Sequence, residues 1–96
     1  MTLAYIHVLV IDDDPAQSRR LTKPFASWGW DATRLAGESG PALARLAEGE
    51  FDLVLLDLKA AERDNYAFLR GRRSDPALSA IPVVITAFPG APLARL

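Results

Sequence analysis

Cysteine is absent from the 96 residues, which excludes disulfides and thiolate metal sites. Histidine occurs once, as His7, and one imidazole does not build a zinc site. No apolar run approaches the length needed to span a bilayer. The opening stretch, MTLAYIHVLVIDDD, has neither a basic start nor a small-residue cleavage site ahead of its acidic cluster. An excess of one charge is also missing, since 11 basic and 12 acidic residues give a formal net charge of −1. That leaves no polybasic arm for nucleic acid or an anionic membrane surface. Internal repeats, low-complexity segments and linkers are absent too. A soluble cytoplasmic protein is the expectation, with neither nucleic acid nor membrane as a direct partner.

What is present is one domain's worth of chain, half of it hydrophobic and so able to bury a small core. Ile6-His7-Val8-Leu9-Val10-Ile11, Leu53-Val54-Leu55-Leu56 and Val83-Val84-Ile85-Thr86 are short, mostly apolar runs rich in β-branched residues. Such runs predict strands buried on both faces, as in a parallel sheet. Asp31 to Ala36 is a weaker, alternating strand. Helical patterns lie between the strands. Asp14 followed by Pro15 is an N-cap with proline at the first helical position. Leu21, Phe25 and Trp28 then form one stripe predicted to be buried, and Gly29 closes that helix. Ser39 and Pro41 open a second helix with Leu43, Leu46 and Ala47 inward and Gly49 at its end. A third starts near Asp64, turns Phe68 and Leu69 inward and runs out at Ser74-Asp75-Pro76. The alternation predicts a doubly wound α/β fold with right-handed crossovers. The tail from Phe88 begins like a fourth helix.

Asp12, Asp13 and Asp14 follow the first strand directly, and Asp57 follows the third. In an open parallel sheet these carboxyl ends share one rim, where ligands bind at the point of winding reversal. If the first and third strands are neighbours, Asp12, Asp13 and Asp57 converge. Carboxylates so close repel unless a cation sits among them. Oxygen ligands suit a hard divalent ion, and Mg²⁺ shares phosphate oxygens with its carboxylates. The plainer alternative is that the triplet only caps and solvates a turn, which is the expected role of Asp14. Asp57 and Thr86, at two further strand ends, weigh against that for the rest.

Val10-Ile11-Asp12-Asp13-Asp14-Pro15, Phe51-Asp52-Leu53-Val54-Leu55-Leu56-Asp57-Leu58 and Ile81-Pro82-Val83-Val84-Ile85-Thr86-Ala87 resemble the receiver domain of two-component response regulators, over essentially the whole chain. The resemblance implies a flavodoxin-like fold with strand order 2-1-3-4, the fifth strand missing. It implies that residues 1–96 are a receiver domain incomplete at its C-terminus. Asp57 would be the phosphoacceptor, charged by a histidine kinase, a phosphotransfer protein or a small phosphodonor. Asp12, Asp13, Asp57 and the backbone carbonyl of Lys59 would hold Mg²⁺. Thr86 would hydrogen-bond the phosphoryl oxygen, and Ala87 would leave room for the donor. The implied role is a signalling switch rather than an enzyme.

The sequence departs from that pattern in three places. The proline and glycine usual four and eight residues after the phosphoacceptor are Ala61 and Asn65, so Lys59 to Arg63 reads as an unusual loop. The lysine of the fifth strand has no counterpart, since the two lysines are Lys23 and Lys59. Lys59 is the cation that would substitute for it, if it is more than a solvated loop lysine. The fifth strand and last helix, about 20–25 residues by ordinary element lengths, are missing. An open fourth-strand edge predicts self-association, as a homodimer. Two alternatives follow: a pseudo-receiver that binds partners without phosphorylation, and a haloacid-dehalogenase-type phosphatase built on Asp12-Asp13-Asp14. The second leaves Asp57 unexplained. His7, Trp28 and Trp30 read as packing residues, and Arg70, Arg72 and Arg73 as a solvated face.

Overall fold

Four consecutive apolar residues, Val8 to Ile11, need cover on both faces of a strand, and only the middle of a helix-flanked sheet supplies it. In the computed structural model, which describes residues 5–87, β1 (Ile6–Ile11) holds that place, with these four residues at most 1% exposed. β1 lies between β2 (Trp30–Leu35) and β3 (Leu53–Asp57), and β4 (Val83–Thr86) lies beyond β3, all parallel. The order β2-β1-β3-β4 is the one expected. The chain leaves β1 for one side and returns past it to β3, so the winding reverses between β1 and β3.

Period-two alternation sends neighbouring residues of β1 into different cores. Val8 and Val10 pack with Phe25. Leu9 and Ile11 join Leu46, Val54, Leu56 and Phe68 in the larger cluster. That cluster lies under α3 (Ser39–Glu48) and α5 (Ala67–Arg73).

The first helical segment differs from expectation. It is two helices, α1 (Pro15–Thr22) and α2 (Phe25–Trp28). Pro24 is the cause, because it lacks the N–H for the helical ladder and its ring clashes with the preceding turn. The predicted stripe breaks accordingly: Phe25 is buried, Leu21 half-buried, and Trp28 57% exposed. Trp28 packs against Phe25 and Trp30 instead, with ring centroids 5.9 and 5.1 Å apart. Gly29 ends α2 at φ 76°, the left-handed conformation a C-terminal glycine supplies without strain.

In α3 the buried residues are Ala42 and Leu46, and Leu43 is half-buried. Ala47 faces solvent rather than the core. It lies about 100° around the helix from Leu46, past the edge of the buried stripe.

The segment expected as a loop after Asp57 is a helix, α4 (Leu58–Arg63). Leu-Lys-Ala-Ala-Glu-Arg contains only strong helix formers. Ala60 and Ala61 are each 1% exposed, small enough to bring α4 tight against the strand ends. Asn65 and Tyr66 follow at φ 58° and 60° and re-aim the chain into α5. Asparagine tolerates that conformation, as expected; tyrosine does so at a steric cost. α5 therefore starts at Ala67 rather than near Asp64, and a one-turn α6 (Pro76–Ser79) begins on an Asp75 cap. Among the described residues, β4 pairs only with β3, and Val84 and Ile85 on it are 49% and 43% exposed. The helical tail expected from Phe88, and the place of a fifth strand, lie outside the described residues. No helix among those described is long and apolar enough to cross a membrane.

Candidate functional site

Strand register builds the rim. Ile11 pairs with Leu56, so Asp12, the next residue, stands beside Asp57. Asp57 in turn pairs with Thr86. Three strand ends thus present Asp12, Asp57 and Thr86 side by side, with Ala87 exposed just beyond. Asp12 and Asp57 are only 6% and 7% exposed, and Thr86 is half-buried.

The two buried carboxylates are held differently. Asp57 caps α4, its Oδ2 accepting from the Ala60 N–H at 3.1 Å, while its Oδ1 accepts from Gln17 Nε2 at 3.3 Å. Asp12 Oδ1 accepts from the Asp14 N–H at 2.9 Å, but its Oδ2 is buried without a hydrogen-bond partner. Burial pushes the Asp12 carboxyl above its ordinary value; the Asp14 N–H opposes this, and the charges of Asp57, Asp14 and Asp13 add to it. Asp14 caps α1 as expected, accepting from Ala16 and Gln17 N–H groups.

Asp13 does not join the other two. Its Oδ1 accepts from the Gly37 N–H at 2.7 Å and its Oδ2 is ion-paired with Arg63. The Arg63 hydrogen bond holds the Asp13 carboxyl below its ordinary value. In consequence, no group of three His, Cys, Asp or Glu side chains among the described residues is arranged to hold a metal ion. Lys59 stands exposed in the first turn of α4, so its carbonyl belongs to a helix rather than to an open loop.

Three residues of the site escaped the sequence reading. Gln17 is 6% exposed and reaches the phosphoacceptor candidate itself. Its signal was a polar residue one turn before Leu21 on the inner face of α1. Arg63 and Gly37 close over Asp13 from distant parts of the chain. At Gly37 a Cβ would lie 2.7 Å from Ala60 Cβ and 2.8 Å from Asp13 Oδ1, so the site needs glycine there. A cavity of about 280 Å³ opens beside the rim, lined by Asp12, Asp13, Ser18, Arg19 and Arg34 among others.

Elsewhere, His7 packs on Phe51 with ring centroids 4.4 Å apart, and its Nε2 lies 3.0 Å from Thr33 Oγ1, consistent with a packing role. The basic cluster on α5 is not wholly solvated. Arg72 donates to the carbonyls of Ser79 and Ile81 and ties α5 to the approach to β4.

No protein-family model matches the chain. It is 40% identical over 85 residues to the transcriptional regulatory protein ZraR of Salmonella typhimurium, covering 86% of this chain and 18% of ZraR. It is 36% identical over 78 residues to the DNA-binding response regulator MtrA of Mycolicibacterium smegmatis, covering 81% of this chain and 32% of MtrA. The chain therefore spans well under half the length of these relatives. Among solved structures, the chemotaxis response regulator CheY4 of Vibrio cholerae superposes with a TM-score of 0.77 at 17% identity, over 96% of this chain and 76% of its own. The signal receiver domain of a histidine kinase from Syntrophus aciditrophicus gives 0.74 at 25% identity, over 93% of this chain and 67% of its own. With a flavodoxin-like sheet and response regulators as its relatives along four-fifths of its length, the chain belongs to the receiver domains of two-component systems.

Proposed function

We propose that this receiver domain accepts a phosphoryl group on Asp57 and signals through the surface change that follows. The observation that carries the reading is the buried pair Asp12 and Asp57 at adjacent strand ends, with Thr86 in register beside them. A carboxylate is a competent nucleophile toward phosphorus. An Asp57 oxygen would form the new O–P bond while the donor's bond to phosphorus breaks and its electron pair leaves with the donor. Thr86 would hydrogen-bond the transferred group, and the small Ala87 would leave the donor's path open. The donor would be a histidine kinase, a phosphotransfer protein or a small phosphodonor.

Two of the expected ligands, Asp12 and Asp57, suit a hard cation. Asp12 Oδ2 is a buried carboxylate oxygen without a partner, and a second carboxylate stands beside it. Asp12 and Asp57 would hold Mg²⁺, joined by the Lys59 carbonyl if the first turn of α4 loosens and by Asp13 if Arg63 releases it. Bound there, Mg²⁺ supplies charge neutralisation for the carboxylates and the phosphoryl oxygens.

The second reading, a pseudo-receiver that binds partners without phosphorylation, is favoured by the engagement of Asp13 with Arg63. Borohydride trapping after incubation with acetyl phosphate and Mg²⁺ separates the two. Reduction of the aspartyl phosphate should convert residue 57, and no other carboxylate, to homoserine. An unmodified residue 57 would leave the pseudo-receiver standing.

A further inference from the structure

Among the described residues, the hydrogen-bond donors to Asp57 are the Ala60 N–H on Oδ2 and the Gln17 side-chain amide on Oδ1. Gln17 is an unusual residue to find there. It lies in the first turn of α1, 94% buried, where an apolar side chain would pack at no desolvation cost. Its backbone is fixed at both levels: the Gln17 N–H donates to Asp14 Oδ1 at 3.3 Å, and the Asp14 N–H donates to Asp12 Oδ1 at 2.9 Å. The acidic turn thus positions Gln17, and Gln17 reaches across to β3.

We propose that Gln17 is a positioning residue for phosphorylation, fixing the Asp57 carboxylate through the oxygen that Ala60 does not hold. The proposal rests on the reading of Asp57 as phosphoacceptor. One donor on each oxygen limits rotation of the Asp57 carboxylate about its Cβ–Cγ bond. A neutral amide also steadies Asp57 against the adjacent Asp12 carboxylate without forming an ion pair that would quench the nucleophile. Lys23 and Lys59 are both exposed, and neither donates to Asp57. The amide therefore occupies a place that no lysine among the described residues fills. When the Asp57 oxygen bonds to phosphorus and the donor group departs, the other oxygen becomes an acyl carbonyl and keeps its own donor.

The test compares the full chain with Gln17→Met, which keeps the side chain's length and removes its donor. With acetyl phosphate and Mg²⁺, the maximal phosphorylation rate should fall about tenfold, the loss expected of one hydrogen bond to a charged reacting group. The half-saturating donor concentration should stay within about twofold, a split that mere loosening of the fold would not produce. Equal maximal rates would overturn this inference alone, while a wild-type chain that takes no phosphoryl group would overturn the phosphoacceptor reading with it. A second measurement needs no change at Gln17. In ¹H–¹⁵N spectra, Asp57→Asn should move the Gln17 side-chain amide resonances, and unmoved resonances would overturn the contact.

Discussion

Replacing Asp12 by asparagine should make the metal-free protein more stable, although it removes a proposed Mg²⁺ ligand. Asp12 is 6% exposed, its Oδ2 has no partner, and Asp57 stands beside it. Asparagine keeps an oxygen for the Asp14 N–H and loses the buried charge. A buried, unsatisfied polar group costs about 1–3 kcal/mol, and more if charged. The new amide nitrogen retains part of that cost, so a gain of about 1–2 kcal/mol is expected. In a domain of this size each kcal/mol moves Tm by roughly 4–8 °C. The sign with pH follows from the raised Asp12 value. Below the ordinary value of 3.8 the carboxyl is neutral whether folded or not, and the wild type is not penalised. As pH rises through the folded value the wild type loses stability, and the variant does not. Thermal unfolding by circular dichroism, in chelator at pH 7 and at pH 3.5, reads both effects. Saturating Mg²⁺ should reverse the ranking, since a ligand at a hundredfold excess over Kd stabilises by about 2.7 kcal/mol. A variant less stable than wild type in chelator would refute the argument that Asp12 Oδ2 is an unpaired buried charge.

Arg63→Ala should tighten Mg²⁺ binding by calorimetry, because Asp13 is released from its ion pair; weaker binding would mean that Arg63 organises the site instead of competing for it. The same variant should lose stability on the neutral side. Asp13's depressed value makes its contribution present above 3.8 and lost as pH falls through the folded value, so wild type and variant should converge in acid melts. Gly37→Ala should cost about 1–3 kcal/mol in denaturant unfolding, since its Cβ would strike Ala60 Cβ and Asp13 Oδ1. Among the described residues the outer edge of β4 is unpaired, with Val84 and Ile85 half-exposed, which predicts concentration-dependent self-association of the 96-residue chain in sedimentation velocity, weakened by Val84→Lys. A clean monomer at high concentration would contradict it.

The sheet was legible because its information is local. Val8 to Ile11 and Leu53 to Leu56 are apolar runs that need two-sided cover, and the aspartates that follow each run mark the rim. Thr86 was placed by the same logic, and its register with Asp57 is the sheet's own consequence. Pro24 stood in plain view, yet the apolar spacing of Leu21, Phe25 and Trp28 ran through it; backbone chemistry overrode side-chain periodicity. The helix at Leu58–Arg63 was hidden by expecting the family's loop, though its residues have high helix propensity. The orientation of Asp13 was not legible at all. It depends on a backbone N–H from Gly37 and a guanidinium from Arg63, which only the folded chain brings to it. Gln17 lay between these cases: a polar residue on an inward helix face is visible in sequence, but its partner is not.

The most direct test of the central claim is intact mass after incubation with Mg²⁺ and a small phosphodonor, for the wild type and for Asp57→Asn. The account predicts one added phosphoryl group on the wild type and none on the variant. A folded wild type that gains nothing, or a variant that gains as much, would contradict it.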